Sequence, residues 1–382
     1  MIKEPNKSIV LTAGFTGMVF FGISFVIMGT LLPSLIEKFG LDDSSASSMV
    51  GLLPLGILLG SILFGPIIDR FGYKALILAA GLITITGLET LAFANTMAIA
   101  RFSVFLIGFG GGVLNGLTNA LVSDISGDKE RASNLSILGV FYTAGAIILP
   151  LLFATLSKNF SYTAIVSATG IILIIPLIFF SLIIFPEAKL KQGVPFGKII
   201  SMAKEPALLI LSFILFFQSG LEGISNNWIP AFLESTHEIS SKNAMFALTL
   251  VIAGIGIGRI ILGILLRIMS KPIILLTSMI ISASGVIILT LSDATGVMLA
   301  GTFFLGMGLA STFPVILGEI GERYKDLSGT AFSFALVVAL TGNTLINLFV
   351  GVVTLNMLNY IMIASIMAIA LLYLIFLTLN KK

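Results

Sequence analysis

The sequence predicts an all-α membrane protein with twelve transmembrane helices in two pseudo-symmetric six-helix bundles. Three observations predict it: the composition, the number of long apolar runs, and glycines that recur at one offset. Of the 382 residues, 57% are hydrophobic and 10% are charged, and the mean hydropathy is +1.13. A soluble domain carries roughly 25% charged residues. Lipid must therefore be the solvent for most of the surface.

The first half contains six apolar runs long enough to cross a bilayer as helices. They are Ile9–Ile36, Ala46–Ile68, Ala75–Ala94, Met97–Val122, Ala132–Leu156 and Tyr162–Phe185. The first run is too long for a signal-peptide core, so we interpret it as a span.

The second half contains six more apolar runs. They are Ala207–Leu233, Ala244–Leu266, Pro272–Leu291, Thr295–Leu317, Thr330–Val352 and Leu355–Leu379. A polar break, 186–206, separates the halves. We therefore expect an N-terminal bundle over residues 1–185, a cytoplasmic linker over 186–206 and a C-terminal bundle over 207–382.

Loop charge predicts the orientation in the membrane. If both termini are cytoplasmic, 16 of the 21 Lys and Arg residues lie on the cytoplasmic side and three on the outer side. The remaining two, Arg101 and Arg259, fall within spans. This asymmetry favours an even number of spans and a multi-pass protein of the cell membrane with both termini in the cytoplasm.

Glycines repeat between the halves at an offset of 198 residues. The pairs are Gly56 with Gly254, Gly60 with Gly258, Gly65 with Gly263, Gly108 with Gly306, and Gly110 with Gly308. Small residues at such spacing let helices approach closely in lipid. The pattern fits static packing or helices that slide during a conformational cycle. Parallel repeats of this kind place a solute site between the halves.

The loop after the second span reads Gly65-Pro-Ile-Ile-Asp69-Arg70-Phe-Gly72-Tyr73-Lys74. It resembles the G-x-x-x-D-R-x-G-R-K motif of the major facilitator superfamily, with Tyr73 in place of the usual Arg. A degenerate copy spans Gly263–Lys271, where Arg267 replaces the acid. The resemblance implies a transporter that works by alternating access. It also implies a cytoplasmic gate of Gly65, Asp69, Arg70, Gly72 and Lys74, with Arg131 as a partner of Asp69.

Three stretches are similar to the fucose/glucose-type sugar symporters of that superfamily. They are Phe105–Gly110 with Asn119, the fifth-span residues Asn134 to Pro150, and Gly220-Leu-Glu222 with Trp228. The similarity implies symport of a sugar. The acids that such relatives carry on the first and fourth spans are Gly29 and Asn115 here, so their coupling chemistry does not transfer directly.

Polar residues in the spans identify candidate binding groups. Gln218, Glu222 and Asn226 follow at i, i+4 and i+8 on one face of the seventh span, flanked by Asn227 and Trp228. The resemblance places this face at the cavity. A carboxyl withdrawn from water can take up a proton, so Glu222 is the candidate ion-coupling residue, with a structural role as the alternative.

Amide pairs at i, i+4 complete the candidate solute site. Asn115 with Asn119 and Asn343 with Asn347 offer the donors and acceptors that a polyol needs. Amides also join helices in membranes, which is an equal alternative for the eleventh-span pair. Glu89, on the peripheral third span, is expected to reach water or Arg101.

The expected partners are therefore a small-molecule solute, H⁺ or Na⁺, and membrane lipid. Scattered basic residues indicate no nucleic-acid partner, and we expect a monomer without cofactor or metal. The chain has no Cys, no H-E-x-x-H and no Walker loop, which disfavours an enzyme or an ATP-driven pump. The alternative function is a proton-coupled efflux antiporter for amphipathic drugs or metabolites. Drug/proton antiporters of this kind carry the pattern G-x-x-x-G-P. Here Leu149 occupies the Gly position before Pro150, so the pattern is broken.

Overall fold

The computed structural model describes residues 5–41, 43–157, 159–188, 201–202, 204–353 and 357–379. The predicted linker, 186–206, lies mostly outside these residues. The helices of the first half are Lys7–Phe39, Asp43–Phe71, Tyr73–Ala92, Met97–Ile125, Arg131–Leu156, Tyr162–Ile172 and Ile174–Leu182. Those of the second half are Pro206–His237, Ser241–Leu265, Lys271–Leu291, Thr295–Leu309, Thr312–Arg323, a 3₁₀ turn at Lys325–Leu327, Ser328–Val352 and Leu358–Leu379.

Twelve helical segments in the described part of the chain are long and apolar enough to cross a membrane. They coincide with the twelve predicted runs, and this prediction is confirmed. We number them as spans in chain order. The sixth span comprises the two helices from Tyr162 to Leu182, and the tenth comprises those from Thr295 to Arg323.

The sixth and tenth spans are each interrupted, which the apolar pattern does not predict. The breaks fall at Leu173 and at Ala310–Ser311. Pro176 and Pro314 follow three or four residues later. Proline has no N–H and cannot bond to the carbonyl four residues earlier, so it weakens the helix at this point. Hydropathy does not reveal either break, because the residues around both breaks are still apolar.

The 198-residue repeat recurs in the packing. A Cβ on Gly56 would lie 2.4 Å from the Phe105 carbonyl oxygen, and a Cβ on Gly254 would lie 2.3 Å from that of Phe303. Phe105 and Phe303 are themselves 198 residues apart. The second span therefore packs on the fourth as the eighth packs on the tenth, and the absence of a side chain is what permits both approaches.

The described residues separate into two compact units. The first comprises the described residues within Met1–Ile125, Leu138–Pro195 and Lys325–Ser333, and the second comprises those within Ser126–Ile137, Phe196–Tyr324 and Phe334–Lys382. Each unit thus holds a short segment from the opposite half of the sequence. Hydroxyl groups fasten both segments: Ser333 donates to the Ser61 carbonyl at 2.5 Å in the first unit, and Ser136 donates to the Arg259 carbonyl at 2.6 Å in the second.

Candidate functional site

The seventh span, Pro206–His237, carries the predicted polar stripe within the second unit. Its Gln218 is fully buried, and Glu222 and Asn226 are half-buried. The Gln218 Nε2 group donates to Glu222 Oε1 at 2.8 Å. Helical periodicity therefore brings the amide and the carboxyl together on one face, as the sequence predicts.

The break in the tenth span supplies a second partner for Gln218. Its Nε2 group also donates to the Leu309 carbonyl oxygen at 2.9 Å. Leu309 is the last residue of the helix before the break. Carbonyls at a helix end lack intrahelical partners, and a buried one needs another donor. Gln218 thus joins the seventh span to the interruption in the tenth.

Two amide oxygens on this stripe are buried without a hydrogen-bond partner among the described residues. They are Gln218 Oε1 and Asn226 Oδ1. They lie four residues to either side of Glu222. Leaving a buried acceptor unsatisfied costs about 1–3 kcal/mol. The stripe therefore has unused acceptor capacity for donors that come from outside the protein.

Arg259 of the eighth span is the positive charge that acts on Glu222. Its guanidinium interacts electrostatically with the Glu222 carboxylate, and the residue is 7% exposed. Charges inside a bilayer are costly unless an opposite charge compensates them. The second unit therefore balances its intramembrane acid with an intramembrane base.

A second polar cluster joins the seventh and eleventh spans. The Asn347 Oδ1 atom accepts hydrogen bonds from Asn227 Nδ2 at 2.9 Å and from Trp228 Nε1 at 3.1 Å. Asn347 Nδ2 in turn donates to Asn343 Oδ1 at 2.9 Å. A Cβ on Gly223 would lie 2.4 Å from Asn347 Nδ2, so this glycine lets the eleventh span approach.

The fourth-span amides lie in the first unit and bind each other. Asn119 Nδ2 donates to the Asn115 carbonyl at 2.8 Å and to Asn115 Oδ1 at 3.1 Å. Asn119 is buried and Asn115 is half-buried. This local i, i+4 bond fixes the rotamer of Asn119.

The motif from Gly65 to Lys74 comprises the end of the second span, the turn at Gly72 and the start of the third span. Gly72 has φ = 78°, a left-handed conformation that favours glycine. Arg70 is exposed, with its guanidinium 5.0 Å from the Phe71 ring centre. Lys74 Nζ donates to the Ile183 carbonyl at 3.1 Å, at the end of the sixth span. These contacts stabilise the turn within the first unit.

Asp69 caps the eleventh span, whose first residues belong to the first unit. The carboxylate accepts from Gly329 N at 3.3 Å, and from Thr330 N at 2.9 Å and Thr330 Oγ1 at 2.8 Å. Asp69 is only 1% exposed. A carboxylate at a helix N-terminus satisfies free N–H groups and interacts favourably with the helix dipole. A Cβ on Gly65 would lie 2.4 Å from the Gly329 carbonyl oxygen, so this glycine permits the close approach of the second and eleventh spans.

A pair of acids 198 residues apart supports the ends of the fourth and tenth spans. Asp124 accepts hydrogen bonds from Tyr73 and, at 2.8 Å, from Ser328 Oγ. Glu322, its counterpart, accepts from Lys271 Nζ at 2.5 Å, and Lys271 is the counterpart of Tyr73. The residue at the usual Arg position of the motif therefore still binds an acid, through a phenol in one half and an ammonium in the other.

Arg131 has acidic partners in the second unit. Its guanidinium lies 2.9 Å from Asp128 and 3.7 Å from Glu322. Its pairing with Asp69 stays a prediction. The motif does not identify Asp124 and Glu322, the acids that its residues contact, although their shared offset of 198 residues could have.

The hydrogen-bond partner of Glu89 is not the residue that was expected. It accepts a hydrogen bond from Ser167 of the sixth span at 2.7 Å, and its other oxygen is buried. Arg101 instead donates to Ser48 at 2.7 Å. The expected contact with Arg101 is absent among the described residues, and Gly170 leaves room for the carboxyl between the third and sixth spans.

A family model described as Major Facilitator Superfamily matches residues 14–339 of the chain. This covers most of both halves, including the gate motif and the stripe of the seventh span.

The chain is also similar to named transporters. It is 24% identical to the glucose/mannose transporter GlcP of Bacillus subtilis, with 85% of this chain and 86% of that protein covered. It is 25% identical to the human sodium-dependent glucose transporter 1, with 90% and 72% covered. The fold resembles the solved outward conformation of the Escherichia coli fucose:proton symporter FucP, with a TM-score of 0.81, 16% identity, and 96% of this chain and 98% of that one covered.

Proposed function

This chain belongs to the major facilitator superfamily, and we propose that it moves a small polar solute, a sugar, in symport with H⁺ or Na⁺. The membrane would be the cell membrane, and the cycle would be alternating access. As a member of this superfamily the chain is a multi-pass membrane transporter and not an enzyme. The solute and the ion are our proposal.

The observation that carries the proposal is the pair of unsatisfied amide oxygens on the seventh span. Gln218 Oε1 and Asn226 Oδ1 are buried acceptors in a helix face that also holds Glu222. Sugar hydroxyls are hydrogen-bond donors, so a bound sugar could satisfy buried acceptors of this kind. An amphipathic drug with few donors would leave these buried oxygens without a hydrogen bond, which costs free energy.

Other members of the predicted site support the same solute class. Asn227, Trp228 and Asn343 surround Asn347, where amide groups and an indole ring lie together. We propose that they bind the solute with Asn115 and Asn119. Each amide offers both donors and an acceptor, which is the chemistry that distinguishes a polyol from an apolar molecule.

We propose that Glu222 binds the coupling ion. Its carboxylate accepts the Gln218 amide and interacts with Arg259, so a bound proton or sodium ion would change both interactions. Because Gln218 also belongs to the solute-binding face, ion occupancy and solute binding would share one residue. Such shared contacts are what thermodynamic coupling requires.

The test is uptake into proteoliposomes. Radiolabelled fucose, glucose, mannose and xylose are offered with an inward proton gradient, an inward sodium gradient or no gradient. We expect one sugar to accumulate above its outside concentration only when one of the ion gradients is present. Dye extrusion that depends on a proton gradient, without accumulation of any sugar, would favour the antiporter instead.

A matched pair of variants locates the site. Asn226→Ala removes the buried amide, and we expect the KM for the sugar to rise by about tenfold, the equivalent of one hydrogen bond. Asn95→Ala removes an exposed amide outside the spans and should leave the KM unchanged. Equal KM values for both variants would contradict the assignment of Asn226 to the solute site.

A further inference from the structure

The degenerate motif copy of the second half, Gly263–Lys271, contacts the start of the fifth span. Its first residue, Gly263, lies near the end of the eighth span, and the Gly263 carbonyl accepts a hydrogen bond from Ser133 Oγ at 2.5 Å. Arg267 Nε donates to the same Ser133 oxygen at 3.3 Å. Ser133 is fully buried and belongs to the second unit. The motif copy therefore holds the first turn of the fifth span within this unit.

The internal repeat relates this contact to that of the intact motif. Arg267 lies 198 residues after Asp69, and Thr330 lies 197 residues after Ser133. Asp69 accepts a hydrogen bond from Thr330 Oγ1 at 2.8 Å, whereas Arg267 donates to Ser133 Oγ. A hydroxyl group both donates and accepts, so one position can serve an acid in one half and a base in the other. The motif copy thus keeps the contact although its charge is inverted.

A second serine contact is repeated in the same way. Ser136 Oγ donates to the Arg259 carbonyl at 2.6 Å, and Ser333 Oγ donates to the Ser61 carbonyl at 2.5 Å. The two donors are 197 residues apart and the two acceptors 198. The fifth span therefore bonds to the eighth as the eleventh bonds to the second.

Other buried serines of the spans bond within their own helix. Ser24, Ser225 and Ser365 each donate to the carbonyl four residues earlier, at 2.7–2.8 Å. This local bond is available to any serine in a helix. Ser136 and Ser333 donate to another span instead. Each can therefore exchange its distant acceptor for a local one when the spans separate, without being left unsatisfied.

Both serines lie where a span passes from one unit to the other. The fifth span leaves the second unit after Ile137, and the eleventh leaves the first unit after Ser333. Each of these spans is one continuous helix, Arg131–Leu156 and Ser328–Val352. Because the chain is continuous at both crossings, any movement of one unit relative to the other acts on both serine bonds.

We propose that the motif copy and Ser136 form a second gate. It holds the fifth span on the eighth, as Asp69 and Ser333 hold the eleventh span on the second, and the two gates open in the same step of the cycle. The opening exchanges hydroxyl acceptors and separates no pair of opposite charges at Ser136 or Ser333. This inference rests on the proposed alternating access, but it concerns a movement of the protein that can be measured without a solute.

A single cysteine at Ala132 reports the opening of the second gate. Ala132 is 3% exposed, and its Cβ lies 3.2 Å from where a Cβ on Gly318 of the tenth span would lie. The chain has no Cys, so Ala132→Cys supplies a unique thiol. N-ethylmaleimide should react with this thiol when the fifth span leaves the contact. The rate of reaction is followed by mass spectrometry of the protein in liposomes without any solute.

The serine variants are compared in this reporter background. Ser133→Ala combined with Ser136→Ala should raise the reaction rate by about tenfold, because two hydrogen bonds that favour the closed gate are lost. Ser136→Ala alone should raise it by about threefold, and this milder variant decides the question if the double variant does not fold. Ser365→Ala, which removes a buried hydroxyl that bonds within the twelfth span, should leave the rate unchanged. Size-exclusion chromatography verifies that each variant is folded.

Ser333→Ala tests whether the two gates open together. Ser333 belongs to the first unit and the reporter to the second, so a purely local role of Ser333 would not change the rate at Ala132→Cys. We expect an increase of about threefold. An unchanged rate in this variant would overturn the joint opening, and rates equal to that of Ser365→Ala in both Ser136 variants would overturn the second gate. A failure of sugar accumulation in the uptake assay would affect neither result, because the reporter needs no solute.

Discussion

Glu222 is the residue on which the proposed ion coupling depends. It is one of two acids well inside the described spans, and the other, Glu89, is held by Ser167 in the first unit. Glu222 instead accepts from Gln218 and interacts with Arg259 of the neighbouring span. Neutralising it would lower the cost of closing a dry cavity around this helix and favour the return of the empty carrier.

Replacement of Glu222 by Gln should separate coupling from movement. Glu222→Gln retains the size and an acceptor oxygen but has neither a titratable carboxyl nor the negative charge that attracts sodium. We expect it to abolish accumulation driven by an ion gradient while counterflow exchange of the solute continues. Both activities are measured in the same proteoliposomes.

Glu234→Gln is the matched control, because this acid lies on the same helix but is exposed. It should behave as the wild-type protein does. If Glu222→Gln still accumulates solute against its gradient, Glu222 is structural, and Glu89 and Arg259 become the next candidates.

At the scale of the helices, Asp69 links the second span to the start of the eleventh. Its two oxygens accept three hydrogen bonds from Gly329 and Thr330. Hydrogen bonds to a charged acceptor contribute about 1.5–3 kcal/mol each. Any motion that separates these two helix ends must break them, so this cap is suited to holding one state of the transporter.

Asp69→Asn should therefore slow transport more than it weakens binding. Asn keeps one acceptor oxygen but loses the charge and the second acceptor. We expect a transport rate lower by about tenfold, because the balance between states shifts by about 1.4 kcal/mol, while the equilibrium affinity for the solute stays close to the wild-type value. Rates come from uptake time courses and affinities from equilibrium binding.

Asp293→Asn, at an exposed acid between the ninth and tenth spans, is the control and should change neither quantity. An unchanged transport rate in Asp69→Asn would refute the gating role of Asp69.

The glycines of the second and eighth spans set how closely helices pack. A Cβ on Gly56 or Gly254 would lie within 2.4 Å of a carbonyl oxygen on the fourth or tenth span. Backbone cannot move aside as a flexible side chain can, so even a methyl group must push the helices apart. Overpacking of this kind typically costs about 1–3 kcal/mol.

Gly56→Ala and Gly254→Ala should each lower the thermal unfolding temperature in detergent. Gly51→Ala and Gly296→Ala are matched controls, since a Cβ at either position meets nothing within 4 Å. These controls should unfold at the wild-type temperature or slightly above, because Ala favours helix. Equal unfolding temperatures for all four variants would show that close helix approach contributes nothing to stability.

For the whole molecule, the distribution of Lys and Arg predicts how the chain crosses the membrane. The absence of cysteine allows a direct measurement, because any introduced cysteine is unique. Lys204 and Asn159 are both exposed and precede the seventh and sixth spans respectively. The proposed orientation puts Lys204 in the cytoplasm and Asn159 outside.

We expect Asn159→Cys to react with a membrane-impermeant maleimide in intact cells. Lys204→Cys should react only after the cells are permeabilised. Labelling is detected as a mass shift of the purified protein, and the cysteine-free parent is the blank. The reverse pattern would invert the topology, and labelling of both sites in intact cells would contradict the number of spans between them.

The class of fold, the twelve spans and the internal repeat were all predictable from the order of the amino acids. Each depends on information that is local along the chain or repeated at one offset: apolar runs long enough to cross a bilayer, and glycines spaced for close helix approach. The i, i+4 bond from Gln218 to Glu222 was predictable for the same reason, since helix periodicity alone brings the two side chains together.

The distant groups that these residues contact were not predictable in this way, because helix packing brings them together. Asp69 bonds to residues 260 and 261 positions away, and Gln218 bonds to a carbonyl 91 positions away that is available because the tenth span breaks. Asn347 bonds to Asn227 and Trp228 for a similar reason. Gly223 has no side chain that would hold the eleventh span away from the seventh. A motif identifies which residue carries a charge or an amide, but a hydrogen bond requires a partner within about 3 Å, and packing alone places it there.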